Sequence, residues 1–190
     1  MNQNYIDDQT FKGVNFTKKP LLKGAYECCT FKSCDFSNVD LLEFHFIECD
    51  FFDCNLSSAN LYATLFQDVK FQDCKMLGLQ FEKCNLFGLV VSFTDCQLNH
   101  SSFYKLKLNK TNFLNCRLIE VDFTASDLTD ANFENCDLQN AKFENTILEK
   151  ADFRSSINYS INLEINKIKG AKFSLKDIEG LLSHYQIKID

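Results

Sequence analysis

Ten cysteines, three histidines and 26 carboxylates are the residues of this 190-residue chain that could do chemistry. Cysteines in that number can cross-link a small fold or hold zinc, and a cysteine beside a histidine can become a nucleophile. Carboxylates set in rows offer a negative surface to a basic partner. A phosphate-cradling loop is not among the options, because only six glycines occur and none has the required spacing. Which option is open depends on where the backbone aims each side chain.

The positioning elements follow from a period of five. From Ser126 to Ser155 the chain reads SDLTD ANFEN CDLQN AKFEN TILEK ADFRS. Taking the large apolar residue of each unit as its centre, one series runs Phe31, Phe36, Leu41, Phe46, Phe51, Leu56, Leu61, Phe66, Phe71, Met76, Phe81, Leu86. A second runs every fifth residue from Phe93 to Phe153, displaced by two residues. Of the 20 phenylalanines, 17 fall on centres once Phe11, Phe16 and Phe173 are included. Neither a helix nor a plain strand has this period. Two residues before each centre stands a small residue, such as Cys34, Ala59, Cys116 or Ala141. Residues two apart on an extended chain share a side, so each unit sends one small and one large side chain inward. The next inward residue comes three later, which requires a turn between units. Four such turns close a coil of about 20 residues, and coils stacked at the strand spacing of about 4.8 Å pair as a parallel β-helix.

The register settles most of the candidate chemistry. Cys29, Cys34, Cys49, Cys54, Cys74, Cys84, Cys96, Cys116 and Cys136 take the small inward position, and Cys28 alone does not. Core packing as free thiols is therefore favoured over zinc or redox roles. His45 and His100 fall on outward positions with no paired nucleophile, and His184 lies near the end of the chain. No catalytic residue, metal site or cofactor is expected. The net charge of -6 and pI near 5.1 argue against direct nucleic-acid binding. The polar opening MNQNYIDDQT and the lack of any apolar run of about 18 residues point to a soluble cytoplasmic protein with no membrane partner.

Charge is banded along the chain. Between Ser33 and Val69 there are seven acids and no Lys or Arg. Lys70, Lys75, Lys83, Lys105, Lys107, Lys110 and Arg117 then dominate up to Ile119, and acids return from Glu120 to Asp152. Residues one coil apart can pair, so Lys107 with Asp127, Lys110 with Asp130, Arg117 with Asp137, Asp122 with Lys142, and Glu134 with Arg154 are expected to do so. Glu48 with Asp68 and Asp53 with Asp73 are like charges at that spacing. Either a functional acidic face or tolerated surface charge accounts for them. With Leu42, Ile47, Phe52 and Tyr62 just after centres, the stretch suits a partner with a basic surface. The expected partner-binding residues are Asp35, Asp40, Glu43, Glu48, Asp50, Phe52, Asp53, Tyr62, Asp68 and Asp73, gathered on one face.

These units resemble the A(D/N)LXX pattern of the pentapeptide-repeat family, over nearly the whole chain. The resemblance implies an all-β, right-handed quadrilateral parallel β-helix, here of about eight coils and on the order of 40 Å long. One domain spans the chain, with an N-terminal cap over 1–10, repeats over 11–86, a register break over 87–92, repeats over 93–173 and a cap over 174–190. In the cap, Ser174 with Asp177 reads as a helix start, Leu175, Ile178, Leu181 and Leu182 as one helical face, and QIKID as a short strand. The Cys-rich units, the break, CKMLG at Cys74 to Gly78, and the ending AKFSLKDIEGLLSHYQIKID are similar to the topoisomerase-protecting branch, which includes albicidin-resistance and Qnr-type proteins. That likeness implies a DNA-mimicking rod that binds DNA gyrase or a related topoisomerase and shields it from a quinolone or an albicidin-like peptide. It also implies a homodimer through Leu175, Ile178, Leu181, Leu182, Tyr185, Ile187 and Ile189. Long projecting loops are missing, and Lys105, Lys107 and Lys110 interrupt a continuous acidic line. The alternative is an interaction scaffold whose partner is not a topoisomerase.

Overall fold

The computed structural model describes residues 4–188. The backbone winds as a square coil with four walls. The first wall is a parallel sheet of β1 (Asn4–Asp7), β3 (Gly24–Glu27), β5 (His45–Ile47) and β7 (Leu65–Gln67). The second holds seven parallel strands: β2 (Thr10–Lys12), β4 (Thr30–Lys32), β6 (Asp50–Phe52), β8 (Val69–Gln72), β9 (Val91–Thr94), β10 (Asn112–Leu114) and β11 (Asn132–Glu134). The third and fourth walls are columns of single bridges, including Asn15, Asp35, Asn55 and Lys75 on one and Gln80, Ser102, Asp122 and Lys142 on the other. Every pairing is parallel, and the partner is the residue one coil on, as with Phe31 and Phe51 or Phe113 and Phe133. The quadrilateral parallel β-helix expected from the period of five is the fold.

Each corner is made the same way. The second residue after a centre takes a left-handed conformation, with φ of 52° at Glu48, 51° at Asp53 and 58° at Lys105. Its N–H donates to the carbonyl of the next coil, as from Glu48 to Gln67 at 2.8 Å and from Asp53 to Gln72 at 3.0 Å. A left-handed corner at a non-glycine residue costs on the order of 1 kcal/mol, and the inter-coil hydrogen bond offsets it. Where an Asp or Asn precedes the centre, its side chain braces the turn by accepting the N–H two residues on. Asp35 does this for Ser37, Asn55 for Ser57 and Asp122 for Thr124. The acid or amide of the repeat is therefore a turn former.

Inside, the rings stack coil on coil. The second wall carries one column from Phe11 through Phe31, Phe51, Phe71, Phe93, Phe113, Phe133 and Phe153 to Phe173, with Phe113 and Phe133 at 5.0 Å and 4°. A second aromatic column meets it edge to face. In the first half this is Tyr26, Phe46 and Phe66 on the first wall; in the second half it is Phe81, Phe103, Phe123 and Phe143 on the fourth. Phe46 meets Phe51 at 74° and Phe103 meets Phe113 at 83°, the geometry that ring quadrupoles favour.

The aromatic column changes walls at the register break. Leu65 bridges Asn85, 20 residues on, whereas Val69 pairs with Val91, 22 on. The two extra residues thus lie between Asn85 and Val91, on the first wall. Leu86, expected as a buried centre, is 53% exposed, and Leu89 packs against the core instead. The insertion bulges the wall outward and carries Leu86 with it.

The two ends differ from expectation. Residues 4–10, read as a cap, already supply β1 and the start of β2. At the other end two short 3-10 helices, Leu175–Leu181 and Ser183–Tyr185, replace a single helical face. Asp177 breaks helical geometry with φ -110° and ψ 20°, and the Ser174 hydroxyl accepts from Lys176 N–H, so no reciprocal box forms with Asp177. The segment lies flat on the last coil: Ile161 N–H donates to the Gly180 carbonyl, and a Cβ at Gly180 would collide with the Tyr159 carbonyl. Ile187 and Lys188 form no strand, and Ile189 lies outside the described residues.

Candidate partner-binding surface

The thiols are packing groups. Nine cysteines are buried and Cys28 alone is exposed. Cys34, Cys54, Cys74, Cys96, Cys116 and Cys136 form one column, in which each Sγ faces a carbonyl of the preceding coil, as Cys74 faces Phe51 at 3.4 Å. Burial pushes the Cys49 thiol up to about 12, far from a reactive thiolate. Buried Thr64, Ser101, Thr146 and Ser156 occupy the same inward position and donate to carbonyls in the same way. Among the described residues no His, Cys, Asp and Glu cluster could hold a metal. His100 is an exposed partner of Glu120 at 3.1 Å.

The expected acidic face is divided by the coil. Asp35 stands on the third wall, half-buried, with its carboxyl held below the usual range by the hydrogen bonds from Ser37. Asp40 and Tyr62 lie on the fourth wall, where Asp40 accepts from Leu42 N–H and from the Asn60 amide. Glu43 pairs with Lys23 at 2.7 Å, and that contact lowers its pKa. Four of the ten expected residues thus stand apart, and two of them brace turns. Residues close in sequence are carried around the coil, so the acids from Asp35 to Asp73 are spread over three walls and the corners.

The other six converge. Glu48 and Asp68 occupy the corner between the first and second walls, and Asp53 and Asp73 the corner between the second and third, all four with φ between 51° and 55°. Asp50 and Phe52 lie on β6 between the two corners. Asp95, φ 54°, continues the second corner beyond Asp73 and was missed. Its signal lay in the register break, because a step of 22 from Asp73 reaches it. All five corner acids are exposed, and none forms an ion pair among the described residues. Between the rows the wall also carries Lys70, paired in register with Asp50, and one coil before them Lys32, whose Nζ lies 5.7 Å over the Phe52 ring.

None of the five cross-coil pairs expected in the second half is among the ion pairs that form. Asp122, Asp127 and Asp137 turn an oxygen toward the N–H two residues on, which draws the carboxylate to its own turn. Arg154 folds onto Asp152 at 2.7 Å in place of Glu134. The one-coil rule holds instead for Lys23 with Glu43, His100 with Glu120 and Lys172 with Asp152.

The proposed dimer residues also separate. Leu181 is buried and Ile178 packs against the core, whereas Leu175 is 87% exposed, with Tyr185 and Ile187 also outward. Leu182 is half-buried.

Comparison with known proteins agrees with this architecture. Two forms of QnrB1, a plasmid-mediated fluoroquinolone resistance protein, superpose with TM-scores of 0.62 and 0.60 at 16% and 18% identity, each covering 98% of this chain and 97% of that one. HetL, a pentapeptide repeat protein involved in heterocyst differentiation regulation from the cyanobacterium Nostoc sp. strain PCC 7120, superposes with a TM-score of 0.61 at 18% identity, over 90% of this chain and 87% of its own. A search of curated proteins finds no match. No helix of the described residues is long and apolar enough to cross a membrane. The family profile described as the pentapeptide repeat region matches residues 26–90 and 89–173, and the chain belongs to the pentapeptide-repeat family.

Proposed function

We propose that this chain is a non-enzymatic binding rod whose acidic corners engage a basic cleft shaped for duplex DNA, and that the cleft belongs to DNA gyrase or a related type II topoisomerase. The observation that carries the reading is the pair of rows Glu48–Asp68 and Asp53–Asp73–Asp95, each one acid per coil on a rigid corner. Where both corners are acidic, coils about 4.8 Å apart supply one carboxylate per about 2.4 Å of axis, against one phosphate charge per about 1.7 Å of duplex. Like charges side by side oppose folding, which favours a role outside the fold. The fold shared with QnrB1 supports the assignment to a topoisomerase. Protection then means competition for the DNA site of a drug-trapped enzyme. A dimer through Leu175, Tyr185 and Ile187 would place two such rods end to end.

A gyrase supercoiling assay with and without ciprofloxacin or albicidin tests the reading. Restored supercoiling in the presence of the drug is expected. No effect of the protein at stoichiometric excess, on either the enzyme or the poison, would rule it out. A second reading, an interaction scaffold whose partner is not a topoisomerase, is favoured by Lys70 between the rows and Lys32 one coil before them, where a duplex carries no positive charge.

A further inference from the structure

We propose a second docking surface of opposite sign on the first wall: the bulge at the register break, with its lysines, takes an acidic protein segment that inserts one apolar side chain. The bulge exposes Leu86 (53%), Phe87 (79%) and Val90 (55%), three apolar residues within five positions. Beside them lies a hollow of about 440 Å³ lined by Leu86, Leu89, Val90, Leu106 and the stems of Lys105 and Lys107.

The bulge is built to stay open. Phe87 N–H donates to the Asn85 side chain at 3.0 Å and Val90 N–H to the Phe66 carbonyl at 3.2 Å. Gly88, φ 65°, passes close over the Gln67 side chain, and Leu89 is anchored in the core. The apolar side chains cannot fold inward without breaking these contacts, so their exposure is a fixed property of the wall.

Charge names the occupant. Lys83 precedes the bulge by three residues, and Lys105, Lys107 and Lys110 follow on the next coil. None of the four joins an ion pair among the described residues. Asp127, which stands beside Lys107 in register, is turned toward Thr129. Lys105 and Lys107 on the rim of an aliphatic hollow, with Lys83 and Lys110 on the coils that flank it, match carboxylates around an apolar anchor. A nucleic acid fits less well, since leucine and valine line the hollow where a base would need a flat ring.

The test is selection of a displayed library of random 12-residue peptides on the whole protein, with counter-selection on Lys105→Glu/Lys107→Glu and, separately, on Phe87→Ser. Circular dichroism and melting confirm that both variants fold. Enriched peptides are expected to be acidic with a single Leu, Phe or Ile. Their affinity, read by fluorescence anisotropy, should fall at least tenfold on either variant and with added salt. No enrichment, or peptides that bind wild type and both variants alike, would overturn the proposal. So would tighter binding of a single-stranded oligonucleotide lost in the lysine variant, or a mass in light scattering that falls in that variant, which would identify the occupant as a second copy of the chain.

Discussion

Asp53 and Asp73 occupy equivalent left-handed corners of successive coils, both exposed, and neither joins an ion pair among the described residues. Asp53 accepts a hydrogen bond from the Ser33 hydroxyl at 2.9 Å, one coil back, and Asp73 accepts from the amide of its own neighbour Gln72 at 3.3 Å. Asn tolerates the left-handed region as well as Asp does. Replacing Asp53, Asp73 and Asp95 by Asn should therefore leave the melting temperature unchanged or raise it by about 1–2 °C. The same triple variant should lose most of its effect on gyrase. A large loss of stability would make the acids structural and remove the basis of the binding proposal.

The thiol column predicts a labelling pattern. In native protein one thiol of ten should react with a maleimide, and mass spectrometry should place it at Cys28. Even that reaction should be slow at neutral pH, because partial desolvation and the nearby Glu48 carboxylate raise the Cys28 pKa. All ten should label in denaturant, and Cys28→Ser should silence the native reaction. Rapid native labelling of any of the other nine would show that the column is not closed.

Phe113 lies between Phe93 at 5.3 Å and Phe133 at 5.0 Å and meets Phe103 and Phe123 edge to face. Phe113→Ala should cost about 3–5 kcal/mol in denaturant unfolding. Phe173→Ala, at the half-buried end of the same column, should cost less than half of that. Equal losses would mean that the end coil is as tightly packed as the middle.

What could be read without the structure was whatever the period of five decides alone. Inward or outward follows from position within the unit, so the Phe column and nine buried cysteines were legible. Which wall an outward residue joins depends on its count around the coil. Asp35, Asp40 and Glu43 therefore looked like neighbours of Asp53 although they stand on other walls. Side-chain commitments were also hidden: Asp122 and Asp137 were assigned to lysines and arginines a coil away, but a backbone N–H two residues on competes at shorter range. At the end of the chain, Leu175, Ile178 and Leu181 have helical spacing. The short 3-10 turns, broken at Asp177, lay the segment on the final coil and split those residues between core and solvent.

Acid should weaken the fold through the turn-forming carboxylates. Hydrogen bonds from Arg154 hold Asp152 below its usual pKa, and those from Ser37 do the same for Asp35. A carboxyl depressed in the folded state contributes stability that is fully present above its unfolded pKa of about 4 and is lost as pH falls through the folded value. The urea midpoint should be flat between pH 7 and about 5 with respect to these groups and decline below about 4. Asp152→Asn should lower the midpoint at pH 7 and make the decline shallower. A midpoint that rises on acidification would contradict the assignment.

The exposed end residues discriminate between a monomer and an end-to-end dimer. Leu175 is 87% exposed and contributes little to its own coil, whereas Leu181, six residues on, is 7% exposed and sealed against the core. If two chains join at this end, Leu175→Asp should halve the mass in light scattering with little change in melting temperature. Leu181→Asp should instead lower the melting temperature, because it buries a charge in apolar surroundings. An unchanged mass for Leu175→Asp, and for the double variant with Tyr185→Asp, would show that the C-terminal segment caps the rod without joining a second one.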